Sequence, residues 1–83
     1  MKRYVLTDPS GRFFSHRSHY IPAIIHSFTS ELNFAATFDD KDEAFEARDR
    51  EVKWLYEFNG NAKVPDDYLR VAEVKIVTIE REP

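Results

Sequence analysis

Asp40-Lys41-Asp42-Glu43-Ala44-Phe45-Glu46-Ala47-Arg48-Asp49-Arg50-Glu51-Val52-Lys53-Trp54-Leu55-Tyr56-Glu57-Phe58-Asn59-Gly60 reads as one helix with its own start, stripe and stop. Asp40 is placed to cap the free amides of the first turn, and Glu43 three residues on completes a capping box. Asp39, Asp42 and Glu46 put negative charge at the positive end of the helix dipole. Asn59-Gly60-Asn61 supplies a left-handed stop, with Pro65 soon after. The flanking segments alternate like strand. The helix therefore decides the architecture: a single helix on a small sheet.

Helical projection sets Ala44, Ala47, Val52, Leu55 and Phe58 on one face, with Phe45 and Tyr56 at one edge and Trp54 at the other. The stripe spans roughly 200° by this projection, where a surface helix needs little more than about 100°. Either more than a sheet covers the helix, or part of the stripe faces a partner. Arg48 and Glu51 fall inside the stripe, three residues apart, and are expected to pair with each other over the core edge. Acid-first pairs at a spacing of four are expected for Glu46 with Arg50 and Asp49 with Lys53. Trp54 lies one turn after Arg50, within reach of a cation–π contact. Trp and Arg dominate protein interfaces, so the partner-binding surface is assigned to Arg48, Arg50, Glu51, Lys53, Trp54 and Glu57.

Upstream, Lys2 to Thr7 reads as a strand, Asp8-Pro9-Ser10-Gly11 as a turn and Arg12 to His16 as the returning strand. Ser18 to Pro22 reads as loop because proline has no amide to donate and restricts Ile21. Ala23 to Phe28 reads as a short strand. Thr29 or Ser30 is placed to cap a helical turn through Leu32 and Asn33, and Ala36 to Phe38 forms a brief strand. Downstream, Tyr68 to Glu80 reads as a strand whose alternation slips, which a bulge near Ile76-Val77 would reconcile. The sum is an α+β fold. A small antiparallel sheet of three to four strands, in the order β-β-(β)-α-β, packs against one main helix in a single domain, residues 1–83.

Composition narrows the functional classes. Eighty-three residues bury only about 60% of the unfolded surface, and twelve aromatic residues help to fill that core. The absence of cysteine excludes a disulfide framework and a zinc–thiolate site. No signal peptide or membrane span is legible, so a cytoplasmic location is expected. Net charge is −3, divided as +3 over residues 1–30 and −6 over residues 31–83. A general nucleic-acid binder is usually basic, which argues against that class.

Each chemical constellation has a plainer explanation. His16, His19 and His26 lack carboxylates at fixed spacing and read as surface or loop histidines, not metal ligands. Asp39, Asp40, Asp42 and Glu43 lack the glycine and later glutamate of a calcium loop, and capping accounts for them. The same acids are too few, and too diluted by neighbouring bases, for DNA mimicry. Ser15 and His16 are strand neighbours expected to point to opposite faces, so they are no catalytic pair. Gly11 and Gly60 serve turns, leaving no phosphate-cradling loop. Lys2, Arg3, Arg12 and Arg17 interleave with Tyr4, Phe13, Phe14 and Tyr20, which keeps a weak single-stranded nucleic-acid binder as the alternative. No catalytic residue, metal or cofactor is assigned.

Tyr4-Val5-Leu6, Gly11-Arg12-Phe13-Phe14, the run Phe28-Thr29-Ser30-Glu31-Leu32-Asn33-Phe34-Ala35-Ala36-Thr37-Phe38 and Asp42-Glu43-Ala44 together resemble small accessory proteins common in phage and prophage genomes. Those proteins pair a hairpin with a Thr/Leu/Ala/Phe segment and a helix opening on Glu-Ala. The resemblance implies a viral or mobile-element accessory protein, a group in which inhibitors of host defence are well represented. The expected activity is non-enzymatic binding of a protein partner, either a host protein or a second copy in a homodimer.

Overall fold

A computed structural model describes residues 2–20, 23–60 and 63–75. The elements run β1 (Lys2–Thr7), β2 (Phe13–Tyr20), β3 (Ala23–Thr29), a 3-10 turn (Leu32–Phe34), α1 (Lys41–Phe58) and β4 (Arg70–Lys75). The sheet is antiparallel with spatial order β3-β2-β1-β4. One helix on a four-stranded antiparallel sheet is the expected α+β fold.

The first hairpin turns as its residues require. Gly11 has φ +87°, a conformation that costs glycine little. Gly11 N–H donates to Asp8 C=O at 3.0 Å, and Asp8 N–H to Arg12 C=O at 2.9 Å. The Asp8 carboxylate organises the rest, accepting from Ser10 N–H and Oγ–H at 3.0 and 2.8 Å and from Arg12 N–H at 2.8 Å. Burial raises the Asp8 pKa, but the Ser10 and Arg12 hydrogen bonds and the Arg12 charge outweigh it, leaving the carboxyl below its ordinary 3.8.

Beyond this turn β1 and β2 diverge, pairing at Thr7 and Phe13. Residues 36–38 fill the gap. Ala36 N–H donates to Phe14 C=O of β2 at 3.0 Å, and Phe38 exchanges both main-chain bonds with Tyr4 of β1 at 2.8 and 2.9 Å. The brief strand expected at Ala36 to Phe38 is thus a wedge between two ribbons, β2–β3 and β1–β4. Ser18 to Tyr20 belong to β2 and not to a loop, because pairing with Ala23–Ile25 satisfies their backbone. Ile21, Pro22 and the expected bulge at Ile76-Val77 lie outside the described residues.

The core gathers Leu6, Phe14, Ala47 and Leu69, with Phe28, Ala36, Phe38, Val52, Tyr68 and Val71 packed around it. Val5 and Leu6 are both fully buried. Strand neighbours point to opposite faces, so both faces of β1 are covered here. Asp40 is the N-cap of helix α1 as expected, its side chain accepting from Asp42 N–H, but no Glu43 bond closes a capping box among the described residues; Gly60 at φ +75° follows the C-terminus. Its buried residues are Ala44, Ala47 and Glu51. The covered stripe is narrower than the projection: Tyr56 and Phe58 are 46% and 52% exposed.

Candidate functional site

Glu51 follows Ala47 by four residues and Ala44 by seven, so the geometry that buries the two alanines also turns Glu51 inward. On the sheet below, β2–β3 register sets Arg17 opposite His26. The two elements bring these side chains together. Arg17 Nη1 donates to Glu51 Oε2, and His26 Nε2 lies 3.3 Å from Glu51 Oε1. His26 Nδ1 is 2.9 Å from Tyr68 Oη. The side chains of Glu51 and His26 are 4% and 1% exposed, against 23% for Arg17.

The Tyr68 contact sets the protons of this cluster. The Tyr68 hydroxyl donates to Nδ1 of a neutral imidazole, which leaves Nε2–H facing Glu51, a tautomer assigned from the network. The Nε2–Oε1 approach meets the distance of an ion pair but not the geometry of a hydrogen bond. The contact is therefore electrostatic and long, and the Arg17 link is the strong one. Burial pushes His26 below its ordinary 6.5; the Glu51 carboxylate opposes that shift and the Arg17 guanidinium reinforces it. Burial, with the negative charges of Asp8 and Glu51, raises the Tyr68 phenol and keeps it a donor. Around His26, Phe14 approaches edge-on at 5.3 Å and Tyr68 stacks at 5.7 Å.

Arg17 also reaches outward. Its guanidinium carbon lies 4.0 Å from the Trp54 ring centroid, and that of Arg50 lies 5.8 Å from the same ring. The expected Arg50–Trp54 contact is present, and a second, closer cation joins it from β2. Trp54 is half-buried and braced by both.

The six residues assigned from sequence separate in space. Glu51 is enclosed and points away from solvent, so it is not part of an exposed surface. It pairs with Arg17 and His26, and not with Arg48 as expected. Arg48 instead bonds Asp49 at 2.9 and 3.1 Å and lies over Phe45 at 4.9 Å. Arg50 approaches Glu51 at 3.6 Å, and Lys53 reaches Glu57 at 4.0 Å. The ion pairs read as Glu46–Arg50 and Asp49–Lys53 are replaced by these neighbours. Arg50, Lys53 and Glu57 keep exposed side chains on α1, and Trp54 sits half-buried at the rim, against Arg17 of β2.

His26 is core and not a surface histidine, since the alternation of β3 turns it toward α1. His16 is exposed, and β2 bulges beside it, between Phe14 and His16. The bulge breaks the alternation and brings Ser15 Oγ within 2.9 Å of His16 Nδ1, where opposite faces were expected. Among the described residues, no group of three or more His, Asp or Glu side chains is placed to hold a metal ion. No helix of the described residues is long and apolar enough to cross a membrane.

Two open clefts border the segment after the helix. One, of ≈350 Å³, lies between Val52 and Lys53 of α1 and Val64, Pro65 and Leu69. The other, of ≈320 Å³, lies between Leu55 and Asn59 and Val64, Pro65 and Tyr68. Glu51 and His26 line neither of them. Comparison with protein-family models, with curated proteins and with solved structures finds no match to this chain.

Proposed function

We propose that the chain is a non-enzymatic protein-binding module whose contact surface is the exposed C-terminal end of α1. The observation that carries this reading is the exposed aromatic end of the helix. Phe58 is 52% exposed, Tyr56 46%, and the braced ring of Trp54 precedes Phe58 by one turn. Arg50, Trp54 and Phe58 follow one another at a spacing of four, which lines them along one side. Rigid aromatic anchors beside arginine are the chemistry of interface hot spots, and a braced tryptophan loses little freedom on binding.

Enclosure of Glu51 and His26 speaks against catalysis, because a substrate has no route to them. The nucleic-acid alternative is weakened by pairing. Lys2 faces Glu73 at 3.5 Å, Arg3 faces Asp39 at 2.6 Å, Arg12 faces Asp8 at 3.1 Å and Arg17 faces Glu51. The resemblance to phage accessory proteins makes a host protein, including a defence protein, the first class of partner to test.

The test compares the wild type with Phe58→Glu and Tyr56→Ser. Exposed substitutions of this kind shift stability by about 0.5 kcal/mol or less, so loss of a captured host protein would report the surface. Equal binding by all three chains places the contact elsewhere. Salt-sensitive binding of single-stranded DNA, lost in Arg12→Glu, would favour the alternative.

A further inference from the structure

Among the described residues, β3 is an edge strand whose outer rim is open along most of its length. One plug covers it: Asn59 Oδ1 accepts from Ile24 N–H at 3.1 Å, and Asn59 Nδ2 donates to Ile24 C=O at 3.3 Å. Those two bonds show that the polar groups of Ile24 face away from β2. The two-residue period of a strand then turns the N–H and C=O of His26 and Phe28 the same way. Among the described residues these four groups have no hydrogen-bond partner.

Edge strands are ordinarily blunted by charge, proline or a bulge. Ala23-Ile24-Ile25-His26-Ser27-Phe28-Thr29 has none of these. Its imidazole is enclosed, its bulge lies on β2, and its outer-face residues Ile25, Ser27 and Thr29 are uncharged. Among the described residues, the Asn59 plug leaves residues 25–29 open. That window is symmetric about Ser27.

We infer that β3 pairs antiparallel with β3 of a second copy, about a two-fold axis at Ser27, joining two sheets into one of eight strands. His26 then exchanges both main-chain bonds with Phe28 of the second copy, and the symmetry repeats the exchange. Ser27 faces Ser27 of the second copy in a close pair without hydrogen bonds, where a small side chain suits an approach of about 4.5 Å between Cα atoms. Ile25, 49% exposed, is covered by Thr29 of the second copy. An isologous contact of this kind closes at two chains. The second copy is the occupant favoured because an uncharged, self-symmetric window meets no like charge when it faces itself. The pairing uses the sheet edge and stands independently of any partner on α1.

Sedimentation velocity over rising concentration should show the mass moving from one chain toward two. Ser27→Lys sets like charges opposite each other and should hold the mass at one chain, as should Ser27→Glu. An equimolar mixture of the two variants should recover the two-chain mass. Because the chain has no cysteine, Ser27→Cys gives a direct measurement that perturbs the strand little. Under oxidation it should cross-link into dimers, at a Cα separation suited to a disulfide, while Ile25→Cys should not. A wild-type mass of one chain at every concentration overturns the pairing, and so does equal or absent cross-linking at the two cysteine positions.

Discussion

Between Ala44 and Ala47 helix α1 lies on apolar surface, whereas from Glu51 to Asn59 it is tied to the β2–β3 hairpin by polar groups. The first half packs with Leu6, Phe14 and Leu69. The second half holds Arg17 and His26 through Glu51, and Ile24 through Asn59. The two attachments differ in physical kind. Apolar burial is non-directional and indifferent to protonation. A buried ion pair is directional, and it stabilises only while both partners and their charge states are intact. One helix thus carries a tolerant attachment and a conditional one.

The largest expected loss comes from the apolar half. Leu6→Ala should lower stability by about 3 kcal/mol, within the range for a fully buried leucine, as read from the urea midpoint. In the polar half, Glu51→Ala strands Arg17 and His26 and should cost about 2 kcal/mol, below the usual figure for a broken buried pair because Arg17 keeps some water. The comparison sharpens with the double variant Arg17→Met/Glu51→Leu. Replacing both partners by apolar groups should return stability to within about 1 kcal/mol of wild type. If the double variant is as unstable as Glu51→Ala, the cluster contributes more than a paired charge, and the contrast between the halves is wrong.

Acidification should act on the polar half first. The folded His26 pKa lies below 6.5, so between these values the unfolded chain binds more protons than the folded one. Stability is therefore full above 6.5 and falls as pH drops below it, with a slope of at most about 1.4 kcal/mol per pH unit for one proton. The depressed Asp8 carboxyl adds a second loss only below 3.8, as pH falls through its folded value. His26→Gln should remove the upper limb and leave the lower one. Urea midpoints measured from pH 7 downward separate them, and an unchanged upper limb in His26→Gln would assign it to other groups.

The same contrast explains what the sequence made legible. Local signals sufficed for β1, the Asp8–Gly11 turn and both ends of α1, because capping and positive φ are properties of neighbouring residues. The polar cluster was not legible. Glu51 and Arg17 are 34 residues apart, and Tyr68 and His26 are 42 apart, so no spacing rule links them. Glu51 stood out only as an acid inside an apolar stripe, with Arg48 the nearest local partner. Arg48 turned instead to Asp49 and the Phe45 ring, leaving Glu51 to the sheet. Period-two alternation could have placed Arg17 and His26 on the helix side, had the pairing of β2 with β3 been known.

Asn59 carries the smallest expected effect and sits where the polar attachment meets the open edge of the sheet. Its two bonds to Ile24 are partly exposed, and water can replace them, so Asn59→Ala should cost about 1 kcal/mol. The local consequence should exceed the global one. Ile24 N–H would lose its acceptor, and its hydrogen exchange should accelerate relative to that of Ile25, whose amide faces β2. Removing the plug also lengthens the open window of β3 toward Ile24, which permits a register with Ile24 opposite a residue of the second copy. Cross-linking of Ser27→Cys should therefore fall in the Asn59→Ala background as the two-fold axis loses its single position. Unchanged cross-linking would mean that the register is set by Ser27 and Ile25 themselves, and that Asn59 serves only to fasten the end of the helix.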